Sequence, residues 1–374
     1  MTRWVTLRFA PIPPGLASLA LAACAMAGLC APAVSATPPA EQGKVVGLAF
    51  VGRMVADLDR SVAFYKELGF RQDPAANPAW RRDEVLEHLY GIGSVETRMA
   101  KMYVINSSTQ QHFVVYLREL RGLNRRNLAN HTAWDPGVSH FGLIVPDAQQ
   151  TWEQLKAASL LHARSWGGEL IAPPGQKKGM LAYLTDPDGL DIELIGQRPA
   201  APAEGGRPAR PALLPGVNHV GLVVLDSDKA RAFYGDLLGG HLLTTEAPWL
   251  KGDFYDSAVG GHGNILRFYN EVFTDAAAPS SHLNFELVEF QNRKKPVVPA
   301  SITDIGVGYV GFEVQGLDAF VKRVEAAGGK PLSNSGIVSM RSGTREVMVR
   351  DPDVGGFVEL FEHPKKEASS TASR

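Results

Sequence analysis

Four short stretches that begin alike decide how this sequence folds. They read Gly47-Leu48-Ala49-Phe50-Val51-Gly52, Gly137-Val138-Ser139-His140-Phe141-Gly142, Gly216-Val217-Asn218-His219-Val220-Gly221 and Gly306-Val307-Gly308-Tyr309-Val310-Gly311. The spacing is also regular, because 169 positions separate Phe50 from His219 and the same number separates His140 from Tyr309. A fixed period is typical of repeated structural units. The chain therefore consists of four modules, arranged as a duplicated pair.

Each module has the same internal pattern. The opening stretch is rich in Val and Leu and alternates in polarity, which predicts a β-strand. An aspartate follows seven positions after the Phe or His in three modules, at Asp57, Asp147 and Asp226. A segment with helical spacing of apolar residues comes next, and then about three short strands. We therefore predict an α+β fold of four βαβββ modules, which must pair because one module cannot close a core alone.

The modules divide the chain into two similar halves. Residues 44–197 hold modules 1 and 2, and residues 216–363 hold modules 3 and 4. Residues 198–215, rich in Pro, Ala and Gly, are typical of a linker. Residues 364–374 form a polar tail.

The N-terminus predicts export. Arg3 and Arg8 precede an apolar stretch, and small residues at 33–36 follow it, so residues 1–36 are typical of a bacterial signal peptide cleaved after Ala36. We therefore expect a periplasmic or secreted protein. An alternative is processing at a lipobox-like stretch that ends in Cys24, which would leave a lipid anchor on that residue. No later stretch is long and apolar enough for a membrane span.

Composition narrows the chemistry further. Both cysteines, Cys24 and Cys30, lie in the predicted signal peptide, so the mature chain has no disulfide, thiolate nucleophile or cysteine metal ligand. The formal net charge of −1 gives no strong field for nucleic acid or an anionic membrane surface. The expected partner is a small molecule, and any metal must be held by His, Asp, Glu or Tyr.

The modules resemble those of the vicinal oxygen chelate superfamily, which includes glyoxalases, bleomycin-resistance proteins and extradiol dioxygenases. The resemblance rests on Phe-Tyr pairs in two predicted helices, on an aspartate turn and on a glutamate in the strand after it. These are Phe64-Tyr65, Phe233-Tyr234, Asp186-Pro187-Asp188-Gly189 and Ile192-Glu193-Leu194. The resemblance implies that paired modules curl into two half-open, barrel-like domains around a divalent metal. Each module would then offer one residue from its first strand and one from its last.

The four modules differ at these two positions. The residues, in module order, are Phe50 and Tyr116, His140 and Glu193, His219 and Glu286, and Tyr309 and Glu359. Imidazole together with carboxylate suits Zn, Fe, Ni, Co or Mn, whereas the sets of modules 1 and 4 cannot form a similar site. Modules 2 and 3 are therefore the candidate metal-binding modules.

Two pairings of the modules are open. Pairing 1 with 4 and 2 with 3 collects His140, Glu193, His219 and Glu286 in one site, and we favour this crossed arrangement. Sequential pairing, which a linker between self-contained halves mildly favours, would give the second half the alternative set His219, Tyr309 and Glu359.

The resemblance implies three possible functions. Our leading hypothesis is a metal-dependent lyase or isomerase of a small oxygenated substrate, in which the metal polarises a carbonyl and Glu193 or Glu286 moves a proton. The second is an extradiol-type ring-cleavage dioxygenase, in which Tyr309 would stand where a histidine is expected. The third is a non-catalytic binding protein with Phe50 and Tyr116 in its pocket. Export makes a glutathione-dependent reaction less natural.

Overall fold

The computed structural model describes residues 43–76, 78–107, 110–172, 180–197, 214–242, 247–272, 283–293, 300–352 and 356–364. The predicted signal peptide and lipobox, residues 198–213 of the predicted linker and the tail beyond Pro364 lie outside these ranges. None of the helices in the described ranges has both the length and the apolar character that a membrane crossing requires.

The elements follow the modular pattern. Module 1 contains β1 (Lys44–Val55), α1 (Leu58–Glu67), β2 (Arg71–Gln72), β3 (Arg81–Arg82), α2 (Glu84–Tyr90), β4 (Glu96–Ile105) and β5 (His112–Arg121). Module 2 contains β6 (Gly137–Val145), α3 (Ala148–Ala157), a 3-10 turn (Trp166–Gly168), β7 (Leu181–Thr185) and β8 (Asp191–Gly196). Module 3 contains β9 (Gly216–Val224), α4 (Ser227–Arg231), a π-helical turn (Ala232–Leu237), β10 (His241–Leu242), β11 (Leu250–Lys251), α5 (Asp253–Val259), β12 (Ile265–Val272) and β13 (Asn284–Phe290). Module 4 contains β14 (Gly308–Gln315), α6 (Leu317–Ala326), β15 (Lys330–Pro331), β16 (Val338–Ser339), β17 (Arg345–Arg350) and β18 (Phe357–Glu362).

The strands pair module 1 with module 4 and module 2 with module 3. The described strands form one ten-stranded sheet in the order β15-β17-β18-β14-β1-β5-β4-β2, with β16 on β17 and β3 on β4. The eight-stranded sheet has the order β10-β12-β13-β9-β6-β8-β7, with β11 on β12. At each centre two first strands run antiparallel, β1 with β14 and β6 with β9. The predicted α+β fold is confirmed, and the strand order is the crossed arrangement.

The repeated aspartates are helix N-caps. The side chain of Asp57 accepts hydrogen bonds from the backbone N–H groups of Asp59 and Arg60, and Asp147 and Asp226 cap α3 and α4 in the same way. Such a cap satisfies N–H groups that have no partner in the first helical turn. In module 4 this place is taken by Gly316, whose φ is +73°. The regular aspartate spacing thus has a structural cause.

Buried hydrogen bonds join consecutive modules. The hydroxyl of Tyr65 on α1 donates to Asp186 in module 2 at 3.1 Å, and that of Tyr234 donates to Asp351 in module 4 at 3.0 Å. The tyrosine of each Phe-Tyr pair therefore binds the first aspartate of the turn in the next module, and this contact occurs in both halves of the chain. Each half of the sequence is held together by its helices and turns, although its strands belong to two different sheets.

Candidate metal centre

Two histidines face each other at the centre of the eight-stranded sheet. His140 lies on β6 opposite Gly221 of β9, and His219 lies on β9 opposite Gly142 of β6. Each imidazole therefore crosses the neighbouring strand over a residue without a side chain. The residues are only 6% and 5% exposed, and their Nε2 atoms are 3.1 Å apart. The strand register thus aims both rings at one point.

The residue before each histidine fixes its ring. The Ser139 hydroxyl donates to the Gly221 carbonyl at 3.1 Å, so its oxygen accepts the Nδ1–H of His140 at 2.9 Å. In module 3, the Asn218 side-chain oxygen accepts from His219 Nδ1 at 2.9 Å. These bonds favour the tautomer that is protonated on Nδ1 and leaves the Nε2 lone pair available to a metal. Metal-binding histidines are commonly held in this way.

Two glutamates complete the cluster. Glu286 on β13 places a carboxylate oxygen 3.6 Å from His140 Nε2 and 3.9 Å from His219 Nε2. Glu193 on β8 lies 3.1 Å from His219 Nε2. Donor atoms of His140, His219 and Glu286 all fall within 4.8 Å of one another. The structure therefore brings together the four residues that the repeat pattern selected.

The charges of the cluster favour a bound cation. Burial opposes protonation of His219, but the charge of Glu286 and a hydrogen bond to Glu193 outweigh it and raise the pKa of His219 to about 9. Burial also disfavours the charged form of Glu286, yet His219 and His140 lower its pKa. Two facing Nε2 lone pairs at 3.1 Å would repel each other, so this position holds either a proton or a metal cation. Nitrogen and carboxylate donors in this number fit a divalent transition metal.

Tyr183 is a site residue that the sequence analysis missed. It lies on β7, and its hydroxyl hydrogen-bonds to Glu193; burial together with the charges of Glu193 and Glu286 raises its pKa well above the usual range. The Tyr183 hydroxyl therefore keeps its proton and donates a hydrogen bond to the Glu193 carboxylate. Tyr183, Glu193 and Glu286 line a cavity of about 260 Å³, and Phe254 and Tyr255 of α5 form part of its apolar wall.

The equivalent place in the ten-stranded sheet has no comparable donor set among the described residues. Phe50 lies opposite Gly311, and Tyr309 lies opposite Gly52, so the glycine arrangement is the same. The Phe50 ring packs edge-on against Tyr116 with centroids 4.9 Å apart. The alternative ligand set His219, Tyr309 and Glu359 does not assemble, because His219 belongs to the other sheet. The crossed strand pairing is the reason for this separation.

The glycine opposite each ring gives a test of the geometry. In Gly221→Ala the new methyl group would overlap the His140 ring, so we expect metal affinity to fall about 10- to 100-fold and stability to fall by about 1–3 kcal/mol. The matched control is Gly311→Ala, whose methyl group would overlap the Phe50 ring in the other sheet. It should lose similar stability and keep full metal affinity, as measured by urea unfolding and chelator competition. Equal metal affinity in both variants would contradict the assignment.

Glu359 predicts a pH dependence of stability. Burial and the charge of Glu346 raise the pKa of Glu359 to about 8, although Arg118 opposes this. The folded state then binds more protons than the unfolded state between about pH 4.5 and 8, so stability falls as pH rises through this window. Compared with Glu359→Gln, the wild type should lose about 3 kcal/mol more between pH 5 and pH 8. Urea unfolding at both pH values measures this, with the exposed Glu84→Gln as control, and identical slopes in all three proteins would contradict it.

Comparisons with known proteins agree with this architecture. The sequence profile of the Glyoxalase/Bleomycin resistance protein/Dioxygenase superfamily matches residues 47–194 and 216–355. No curated protein matches the chain. Among solved structures, glyoxalase I from Zea mays has a TM-score of 0.50 at 19% identity, and the match covers 86% of this chain and 94% of that chain. A point mutant of the same enzyme gives 0.52 at 18% identity with the same coverage. At these identities the similarity concerns the fold.

Proposed function

Since this chain belongs to the Glyoxalase/Bleomycin resistance protein/Dioxygenase superfamily, we propose that it is a metal-dependent lyase or isomerase of a small oxygenated substrate. The observation that carries the proposal is the convergence of two buried imidazole Nε2 atoms and the Glu286 carboxylate within 4.8 Å. His140, His219 and Glu286 would hold the ion. A divalent transition metal bound there supplies Lewis-acid polarisation of a substrate oxygen.

The two glutamates have different surroundings, which supports different roles. Glu286 is within reach of both histidines, as a metal ligand must be. Glu193 contacts only His219 of the pair among the described residues and is held by the Tyr183 hydroxyl. We assign proton transfer to Glu193, because a carboxylate beside the centre can accept a proton from the carbon next to the polarised carbonyl group. Tyr183 orients that carboxylate.

The cavity limits the substrate. Its volume is about 260 Å³, and Phe254, Leu266 and Phe290 contribute apolar side chains to its wall. Ligand sites of this kind combine an apolar wall with a few polar groups that orient the ligand. We propose a substrate with two neighbouring oxygens directed to the histidines and a small apolar body against the α5 side of the cavity.

The test separates binding from proton transfer. With protein loaded with Zn, Ni, Co, Mn or Fe(II), we expect NMR to detect deuterium exchange at the carbon next to the carbonyl in a panel of small 2-hydroxy ketones and 2-hydroxy aldehydes. Glu193→Gln should retain the metal and lower the exchange rate about 10²- to 10⁴-fold. Glu286→Gln should lower metal affinity instead.

Exposed Glu153→Gln on α3 is the control and should behave as wild type. Loss of metal in Glu193→Gln with full retention in Glu286→Gln would reverse the two roles. Failure of the wild type to bind any of these metals would reject the enzymatic proposal and favour a non-catalytic binding protein.

The donor set also favours a second candidate function. Two histidines and one carboxylate form the ligand composition of many Fe(II) oxygenases, and His140, His219 and Glu286 provide it. Oxygen uptake by Fe(II)-loaded protein with catechol and substituted catechols tests ring cleavage. Uptake that is lost in His140→Ala and absent with Zn would establish this function in place of the isomerase or lyase.

A further inference from the structure

The concave face of the ten-stranded sheet contains a second cavity. Its volume is about 500 Å³, and Phe50, Tyr116 and Phe361 form an aromatic part of its wall. Phe50 packs edge-on against Tyr116 and stacks with Phe361 at a centroid distance of 5.7 Å. The volume lies within the range of small-molecule sites. This cavity is separate from the candidate metal centre because it belongs to modules 1 and 4.

Arg118 lines this cavity without a carboxylate partner among the described residues. Its Nη2 lies 3.4 Å from the Met99 sulfur, a weak acceptor, and its Nε has no hydrogen bond within the described part of the chain. The two other cations of the wall are paired, Arg81 with Asp83 at 3.6 Å and Lys101 with Asp73 at 3.0 Å. A partly buried guanidinium of this kind is costly unless a ligand supplies an acceptor.

The charge of this cavity is reversed relative to the metal centre. Arg118 occupies the repeat position that Val288 holds in module 3, 170 positions later. Burial raises the pKa of Glu346 to about 7 and that of Glu359 to about 8, with further contributions from neighbouring carboxylates, although the charge of Arg118 lowers both. Both carboxyl groups are therefore substantially protonated near neutral pH, whereas an arginine stays charged. One cavity thus presents carboxylates and imidazoles to a cation, and the other presents a guanidinium.

We propose that the cavity of the ten-stranded sheet binds a small aromatic carboxylate, with its carboxylate on Arg118 and its ring against Phe50, Tyr116 and Phe361. A guanidinium can bind a carboxylate through two parallel hydrogen bonds. Aromatic walls favour edge-on or offset contacts with a further ring. This site requires no metal and is independent of the function proposed for modules 2 and 3.

Calorimetric titration of chelator-treated protein at pH 7 tests the proposal. The probes are benzoate, phenylacetate and 3-phenylpropionate, each compared with its neutral amide. At least one acid should bind at a stoichiometry of one per chain and at least about 30-fold more tightly than its amide. Arg118→Met should abolish this preference, and Arg118→Lys should retain part of it.

Two further variants locate the site. Arg98→Met removes an arginine paired with Glu119 and Asp59 outside this cavity, and His219→Ala disrupts the metal centre; both should keep the preference for the acid. If Arg118→Met does not fold, as judged by circular dichroism, Arg118→Gln makes the same comparison without the charge. Equal affinity for acid and amide in all three pairs, a preference that survives removal of the Arg118 charge, or a preference lost in His219→Ala would overturn the proposal.

Discussion

His219→Ala is expected to lower the affinity of the protein for divalent transition metals by about 100- to 1,000-fold. A four-ligand zinc site contributes about 10–16 kcal/mol, so the loss of one ligand costs about 2.5–4 kcal/mol. His219 is central because it lies 3.1 Å from both His140 and Glu193 and 3.9 Å from Glu286. Competition with a chromophoric chelator and elemental analysis measure the change.

Three variants make this result specific. His140→Ala should lose affinity by a similar factor, because both rings point at the same place. His112→Ala should have no effect, since that ring stacks on Tyr103 in the other sheet with centroids 4.5 Å apart. Tyr309→Phe should also bind metal normally. Retention of metal in His140→Ala together with its loss in Tyr309→Phe would contradict the centre described above and support the alternative ligand set.

The sequence identified the modules and the four metal-site candidates because both depend on repeat position. His140 and His219 occupy the same place in their modules, and so do Glu193 and Glu286. The pairing of the modules could not be derived in the same way. A repeat determines which residues are equivalent, but the crossed strand order depends on contacts between residues far apart in the sequence, such as Gly142 with His219 and Phe50 with Gly311.

Some site features had a signal in the sequence that only the structure explains. Polar residues precede the two histidines, as Ser139 and Asn218, whereas Ala49 and Gly308 precede Phe50 and Tyr309. The reason is that these side chains bind the imidazole Nδ1 atoms.

Other features had no repeat signal. Tyr183 and Arg118 are each special to one module, so the pattern that revealed the histidines could not reveal them. Their importance depends on the cavity that each side chain faces, and a cavity exists only once the strands are paired.

Arg53→Met is expected to destabilise the protein by about 3–5 kcal/mol. Arg53 is fully buried on β1 and joins three modules: it donates to the carbonyls of Gly306 and Asp188 at 2.6 and 3.0 Å and lies 3.5 Å from the Asp186 carboxylate. Removing the guanidinium leaves that carboxylate buried without its cation and leaves two carbonyls without these donors. Methionine retains much of the apolar volume, so lost packing contributes little. Urea unfolding followed by circular dichroism measures the loss.

A double-mutant cycle distinguishes the charge effect from packing. In Asp186→Asn the amide oxygen can still accept from the backbone N–H groups of Asp188 and Leu190, which bind the same oxygen of Asp186. The double variant Arg53→Met with Asp186→Asn should therefore be less destabilised than the sum of the single variants by about 1–3 kcal/mol. Additive losses would show that Arg53 acts through its carbonyl contacts alone. A loss below about 1 kcal/mol in Arg53→Met would contradict a structural role for the charge, because buried unpaired carboxylates cost more than that.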